Sequence, residues 1–165
     1  MRRGDAPARY GALMPAERAL RVSSGVLALA GIGVAAYIVV VEAGGGTPQC
    51  LAGGTGCETV ANSEYSDLAG INVAVLGIAG YALLLGAALA PGDLARIAGF
   101  AVAIVGFGFS VYLTYLELFV IDAICQWCVA SAVLMTLLLT LNALRAFGHA
   151  GAGVVQPTTA APDEL

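Results

Sequence analysis

Four cysteines carry most of the reactive chemistry in this sequence of 165 residues. Cys50 and Cys57 lie seven positions apart in a glycine-rich stretch, and Cys125 and Cys128 form a Cys-x-x-Cys motif. Four cysteines allow three pairings, of which pairing between sequence neighbours is the simplest. Two neighbouring pairs of this kind can pass electrons from one to the other by thiol–disulfide exchange.

The Cys-x-x-Cys motif is predicted to open a helix. There the first cysteine, Cys125, meets free backbone N–H groups and the positive end of the helix dipole, which stabilise its thiolate and lower its pKa. Cys128 follows three residues later on the same helical face and can close a disulfide. Asp122 is the predicted N-cap, although its carboxylate would oppose formation of the thiolate. The motif therefore predicts a redox-active dithiol.

Two explanations without redox chemistry remain open for the cysteines. Two static structural disulfides would also persist in an oxidising compartment, but a Cys-x-x-Cys disulfide closes too short a loop to stabilise a fold by much. Four thiolates could bind zinc, yet the six residues between Cys50 and Cys57 exceed the usual spacing of two to four. The only histidine, His149, excludes a two-histidine site and has no predicted role. We expect no metal.

The composition indicates a membrane protein. Hydrophobic residues make up 59% of the chain and charged residues 11%, whereas soluble domains are about half apolar and a quarter charged. Disorder requires the opposite composition. The formal charge of −4 offers no basic surface for nucleic acid. The absence of lysine excludes a Walker A loop and lysine-based catalysis.

Four apolar stretches are each long enough to cross a bilayer, which takes about 20 residues. We predict an all-α, polytopic membrane four-helix bundle with a cysteine-bearing extracytoplasmic loop and a short capping helix. The many small residues suit close helix packing in lipid. The predicted parts are a cytoplasmic tail (1–22), a catalytic bundle (23–146, with spans at about 23–41, 70–90, 97–116 and 123–144) and a flexible cytoplasmic tail (147–165).

The arginines predict the orientation. All seven fall at the N-terminus, in the second inter-span loop or after the fourth span, so the positive-inside rule places these segments and both termini in the cytoplasm. The cysteines then lie on the extracytoplasmic side, where disulfides persist. The loop pair is predicted to be exposed and mobile, within reach of a protein partner, and able to swing toward the second pair. That second pair starts an apolar segment, within reach of a lipophilic oxidant.

The order of these parts resembles bacterial members of the vitamin K epoxide reductase family. The resemblance covers about residues 25–145 and rests on a fixed order of features. These are a first span, the loop with Cys50 and Cys57, Ser63, Gly70-Ile71 at the second span, two further spans, and Ile124-Cys125-Gln126-Trp127-Cys128.

The resemblance implies a membrane thiol–disulfide oxidoreductase in the bacterial inner membrane that supports disulfide bond formation. Cys50 would form a mixed disulfide with a separate thioredoxin-fold dithiol oxidase. Cys57 would then attack Cys125, and Cys128 would pass the electrons to a membrane quinone, either menaquinone or ubiquinone. The same residues would serve a quinone or vitamin K epoxide reductase in quinone recycling. A third hypothesis is a non-enzymatic scaffold with two structural disulfides.

The quinone-binding residues are predicted from polarity and position. Ser63 matches a family Ser/Thr position, and the segment 58–68 resembles a short amphipathic helix that caps the quinone pocket. Asn72 stands where many bacterial relatives have proline, which leaves the local bend and its polar role open. The remaining candidates are Tyr112, Tyr115 and Ser131. The tyrosines also suit an aromatic belt at the membrane interface, and Ser131 also suits helix packing.

Two acidic residues lie near the predicted extracytoplasmic surface. Glu117 follows the third predicted span, and Asp122 precedes the fourth. We expect both side chains to be solvated, because a charged group is costly in lipid. Proton delivery to a quinone is the alternative role, since quinone reduction consumes protons.

Overall fold

The predicted all-α bundle is confirmed by a computed structural model, which describes residues 6–51 and 53–153, with side chains described between residues 17 and 148. These described residues fold into five helices and one small hairpin. In order, the elements are α1 (Ala6–Ala43), α2 (Gly56–Ala61), β1 (Asp67–Leu68), β2 (Ile71–Asn72), α3 (Val73–Leu89), α4 (Asp93–Phe119) and α5 (Gln126–Gly153).

Four of the helices form the bundle. Helix α1 packs against α3 and α5, and α4 also packs against α3 and α5, so the four helices enclose one core. Three of them contain segments that are long and apolar enough to cross a membrane, Glu17–Ala43, Asp93–Phe119 and Gln126–Gly148. Helix α3 is apolar but has 17 residues, which is the lower limit for a span.

Two bundle helices extend beyond the predicted spans. Helix α1 begins at Ala6, within the predicted tail 1–22, and α5 continues to Gly153, within the predicted tail 147–165. A helix satisfies its own backbone hydrogen bonds, so it can extend past the apolar segment into water without a new partner. The end of the predicted C-terminal tail, 154–165, and the His149 side chain lie outside the described part of the chain.

Small residues allow the helices to approach closely. A Cβ atom on Gly31 of α1 would lie 2.3 Å from the Tyr81 ring of α3, and one on Gly106 of α4 would lie 2.8 Å from the Met135 side chain of α5. The glycines therefore make room for large side chains at the centre of the bundle, as expected for packing in lipid. The buried core cluster consists of Ala28, Tyr81, Leu84, Ala103, Met135 and Leu138.

Basic side chains meet at one end of the bundle. The Arg21 guanidinium donates a hydrogen bond to the Ala88 carbonyl at 2.9 Å. Arg96 and Arg145 form ion pairs with Glu17, with N···O distances of 3.3 and 3.6 Å. These contacts join the start of α1 to the end of α3, the start of α4 and the end of α5. All four cysteines lie at the opposite end.

A short helix and a hairpin cover the cysteine end. Helix α2 ends at Ala61, so the helix that the resemblance implied over 58–68 is only partly present. The rest of that segment turns and enters the hairpin, in which Leu68 pairs with Ile71. Ala69 and Gly70 between them have positive φ angles of 54° and 81°, which a continuing right-handed helix does not allow.

Candidate functional site

The loop cysteines form a disulfide with an asymmetric environment. Cys50 and Cys57 are bonded to each other, with their Cα atoms 5.6 Å apart. Cys50 is partly exposed, whereas Cys57 lies on α2 and is 1% exposed. The prediction of an exposed pair is therefore wrong for Cys57. One cysteine of the disulfide is thus accessible in part, and the other is enclosed by the protein.

The cysteine loop lies against the start of α5 and the segment that precedes it. The Trp127 ring Nε1 donates a hydrogen bond to the Gln49 carbonyl at 3.0 Å, and the same ring packs on Tyr37 with centroids 4.7 Å apart. At Gly56 a Cβ atom would lie 2.3 Å from the Ile124 carbonyl oxygen. The loop disulfide thus already lies beside the segment that precedes the Cys-x-x-Cys motif, without the predicted swing.

The Cys-x-x-Cys residues are present as two free thiols. Cys125 is buried and Cys128 is partly buried. Helix α5 begins at Gln126, and the Cys125 carbonyl accepts its first-turn hydrogen bond from Val129 N–H at 3.0 Å. The predicted N-cap, Asp122, is wrong. That residue is exposed and lies in the preceding turn with a φ angle of 53°, so Cys125 itself occupies the helix boundary.

The helix boundary favours the thiolate of Cys125. The Cys128 side chain donates a hydrogen bond to the Cys125 sulfur, and the backbone N–H groups of Cys128 and Trp127 also point to it. Burial and the negative charge of Glu117 act in the opposite direction. The balance lowers the pKa of Cys125 to about 7. A sulfur with this pKa is reactive in thiol–disulfide exchange at neutral pH.

This lowered pKa predicts the pH dependence of Cys125 alkylation. Because the thiolate is the nucleophile, the rate of iodoacetamide labelling of the reduced protein should rise with pH and level off above a midpoint at about 7. The labelling rate of an ordinary cysteine has its midpoint at a pH of about 8.5. Peptide mapping by mass spectrometry gives the rate at Cys125. A midpoint above about 8 would contradict this account, and the protein denatured in urea provides the unperturbed reference.

A mostly apolar cavity of about 160 Å³ lies beside the cysteines. Cys57, Cys125 and Cys128 all line it, together with residues from α1, α3 and α4. An apolar cavity of about 150 Å³ is large enough to bind benzene, so this one has room for a six-membered ring. Cys57 of the loop disulfide and both cysteines of the dithiol thus border one ring-sized space.

Three of the five predicted quinone-binding residues line this cavity, namely Ser63, Asn72 and Ser131. Tyr112 and Tyr115 lie elsewhere. They are 45% and 55% exposed on α4 and do not border the cavity. Their position on the outer surface suits the alternative role in an interfacial aromatic belt.

Asn72 makes two side-chain hydrogen bonds at the start of α3. Its side-chain oxygen caps α3 by accepting a hydrogen bond from Ala74 N–H at 2.8 Å. Its amide nitrogen donates to a Glu42 carboxylate oxygen at 2.7 Å. Its φ angle of −59° is also one that proline adopts. Asn72 therefore caps the start of α3 and adds a polar link to α1.

The structure adds one polar residue to the site, Tyr81, that the sequence did not single out, and it moves Glu117 from the predicted surface into the cavity. Tyr81 lines the cavity, is 1% exposed, and bonds through its hydroxyl to the Ser131 hydroxyl at 2.7 Å. Glu117 also lines the cavity and is 4% exposed, so the expectation that it is solvated is wrong. It was assigned to a loop because the third span was predicted to end at Leu116, whereas α4 runs to Phe119.

The fold and the site together define the class of protein. The membrane helical bundle places a disulfide and a dithiol against one apolar cavity. This arrangement is typical of a thiol–disulfide oxidoreductase. The model of the vitamin K epoxide reductase family matches residues 22–143, and the chain belongs to this family. The protein is therefore a membrane thiol oxidoreductase linked to quinone. No curated protein matches the chain.

Proposed function

We propose that the protein oxidises a separate extracytoplasmic thioredoxin-fold dithiol oxidase and passes the electrons to a membrane quinone. The observation that carries the proposal is the shared cavity, because Cys57 of the loop disulfide lines it together with Cys125 and Cys128. In this arrangement the loop disulfide can exchange with the Cys-x-x-Cys pair beside a cavity that has room for a quinone ring. A pair of static structural disulfides would not need that space.

The exposure of the sulfurs sets the order of the exchange steps. A thiolate of the partner attacks Cys50, the more exposed loop sulfur, and Cys57 leaves as a thiolate. When the dithiol is oxidised, Cys57 attacks Cys125 and releases Cys128 as a thiolate. The second thiol of the partner then resolves the mixed disulfide and releases Cys50. Cys50 attacks Cys57, which restores the loop disulfide and releases Cys125, so that Cys125 and Cys128 are both left as thiols. Two electrons and two protons have left the partner at that point.

The cavity accounts for the last transfer. Its apolar wall excludes water and accepts a quinone ring, while Ser63, Asn72 and Ser131 supply polar groups along it. A bound quinone, menaquinone or ubiquinone, would act as the two-electron acceptor. A strong periplasmic dithiol oxidant has a potential near about −120 mV, and quinone is what keeps a bacterial periplasm oxidising. The residues therefore need only place the Cys128 thiolate against the ring.

The ends of the bundle support the predicted orientation. Arg21, Arg96 and Arg145 meet at the end opposite the cysteines, which the positive-inside rule assigns to the cytoplasm. The cysteines then face the extracytoplasmic side of a bacterial inner membrane, and both termini are cytoplasmic. A secreted dithiol oxidase would reach Cys50 from that side.

Covalent trapping tests the proposed partner chemistry. A thioredoxin-fold oxidase that lacks its second active-site cysteine cannot resolve a mixed disulfide, so it should remain attached to this protein in the membrane. Mass spectrometry should find the cross-link at Cys50. The Cys50→Ala variant is the matched control and should capture nothing. Capture at Cys128, or equal capture by Cys50→Ala, would overturn the proposed order.

A further inference from the structure

Glu117 is a buried acidic residue at the reacting cysteines. Its side chain is 4% exposed and lines the cavity. One carboxylate oxygen, Oε2, accepts a hydrogen bond from the Cys125 backbone N–H at 3.1 Å. The carboxylate also interacts with the side chain of Cys128. A charged group this deep in a helical bundle is costly and is usually functional.

The second carboxylate oxygen of Glu117 has no hydrogen-bond partner. Among the described residues, the buried side-chain atoms without a partner also include atoms of Ser24, Asn142 and Arg145, but only Glu117 lines the cavity. An unpaired buried polar atom destabilises the folded protein. Its retention beside two thiols is explained if that oxygen exchanges protons during the reaction.

Several other polar groups of the cavity are already engaged. A Glu42 oxygen accepts from the Asn72 amide, and the Tyr81 hydroxyl is bonded to Ser131. The Ser63 hydroxyl donates to the Val60 carbonyl at 2.7 Å. Tyr65, from the segment after α2, also borders the cavity. Of these groups, Glu117 is the one that contacts both residues of the dithiol.

We propose that Glu117 carries protons from the Cys125–Cys128 dithiol to the quinone oxygens, an inference that rests on the proposed function. The carboxylate takes the proton from the Cys128 thiol as the sulfur releases its electron pair, and it then gives that proton to a quinone oxygen. As the Cys125–Cys128 disulfide forms, the same carboxylate takes the proton of Cys125 and transfers it to the second quinone oxygen. Two S–H bonds break, and one S–S bond and two O–H bonds form. The quinone gains two electrons, and Glu117 returns to its carboxylate form.

The test compares two rates in Glu117→Gln. With dithiothreitol as reductant and ubiquinone-1 as acceptor, kcat of the full-length protein should fall by about 100-fold, because acid–base catalysis contributes about 10²–10⁴-fold. KM should change little. Without quinone, iodoacetamide labelling of Cys125 should become several-fold faster, because the variant lacks a negative charge that disfavours the thiolate. A purely structural role would lower both rates together.

Asp122→Asn is the matched control. Asp122 is an exposed acidic residue near the same motif, and asparagine tolerates its positive φ angle. Both rates should stay within about twofold of the original protein, well short of a catalytic effect. Glu117→Asp keeps a carboxyl group and should recover part of kcat.

The outcomes separate this inference from the proposed function. If the unaltered protein does not reduce ubiquinone-1, the proposed function fails. If it does, and Glu117→Gln is equally fast or loses both rates together, only the role of Glu117 is overturned. When a substitution prevents folding, the infrared difference spectrum of the unaltered protein decides. A carboxylate band should shift when oxidation of the dithiol removes the Cys128 thiol that Glu117 contacts, and the absence of that shift would overturn the inference.

Discussion

Cys128→Ala should abolish quinone reduction, with turnover falling at least about 10³-fold, to the uncatalysed background. The sulfur that hands over the electron pair is then missing. The variant should also accumulate a disulfide between Cys57 and Cys125. Cys125 is reactive at neutral pH and borders the same cavity as Cys57, and no Cys128 thiol is left to resolve the bond. Ubiquinone-1 reduction and non-reducing peptide mapping measure the two effects.

Cys125→Ala is the matched control for this experiment. It should lose turnover to the same extent, because the dithiol cannot close, but it should form no cross-link from Cys57 to the motif. The pair of variants therefore distinguishes the exchange sulfur from the sulfur that faces the quinone. Full activity in either variant would contradict the mechanism. A cross-link from Cys57 to Cys128 in Cys125→Ala that matched the first in yield would contradict the assigned order.

Gly56→Ala should slow electron transfer from the loop pair to the Cys-x-x-Cys pair by about tenfold or more. The added Cβ atom would lie 2.3 Å from the Ile124 carbonyl oxygen and 3.2 Å from its carbon. A backbone atom cannot move aside as a flexible side chain does, so α2 must shift away from the segment that leads into Cys125. Overpacking of this kind costs about 1–3 kcal/mol, and a misplaced reacting atom slows a reaction strongly.

Single-turnover oxidation of a reduced partner measures this rate, and direct reduction of the Cys125–Cys128 disulfide by dithiothreitol should change little. Thr55→Ala is the control because it alters the neighbouring residue, whose side chain makes no capping hydrogen bond to α2. It should transfer electrons at the original rate. Equal rates in Gly56→Ala and the unaltered protein would show that the contact with Ile124 does not position the two pairs.

The sequence predicted the bundle because the relevant signals are local. The sequence has four apolar stretches, with small residues within them and arginines only in the segments on one side of the membrane. This pattern follows from the cost of placing polar groups in lipid and from the packing of helices there. The Cys-x-x-Cys spacing likewise indicated a helix start that favours the Cys125 thiolate. These properties depend on a few neighbouring residues, so no tertiary contact was needed to infer them.

Other features of the site could not be predicted from the sequence, because they depend on contacts between distant segments of the chain. Glu117 was expected in water, yet α4 extends past the predicted span and places the carboxylate at the Cys125 backbone. Tyr112 and Tyr115 were grouped with the polar candidates because they lie near the cysteine end of the bundle. The orientation of α4 about its own axis, however, places both side chains away from the cavity. The depth of a residue in the membrane follows from its position along the predicted span. The direction in which its side chain points depends on how the helix packs against its neighbours.

The amino-acid sequence thus determined the class of protein, the number of helices and the cysteines available for redox chemistry, since hydrophobic length, charge and spacing act locally. Tertiary structure decided which sulfur is reachable and which groups border the cavity. Cys50 and Cys57 have the same chemistry, but Cys57 lies on α2 and is 1% exposed, whereas Cys50 remains partly exposed. Burial and contact depend on how separate helices meet in space, and no single segment of the chain encodes that arrangement.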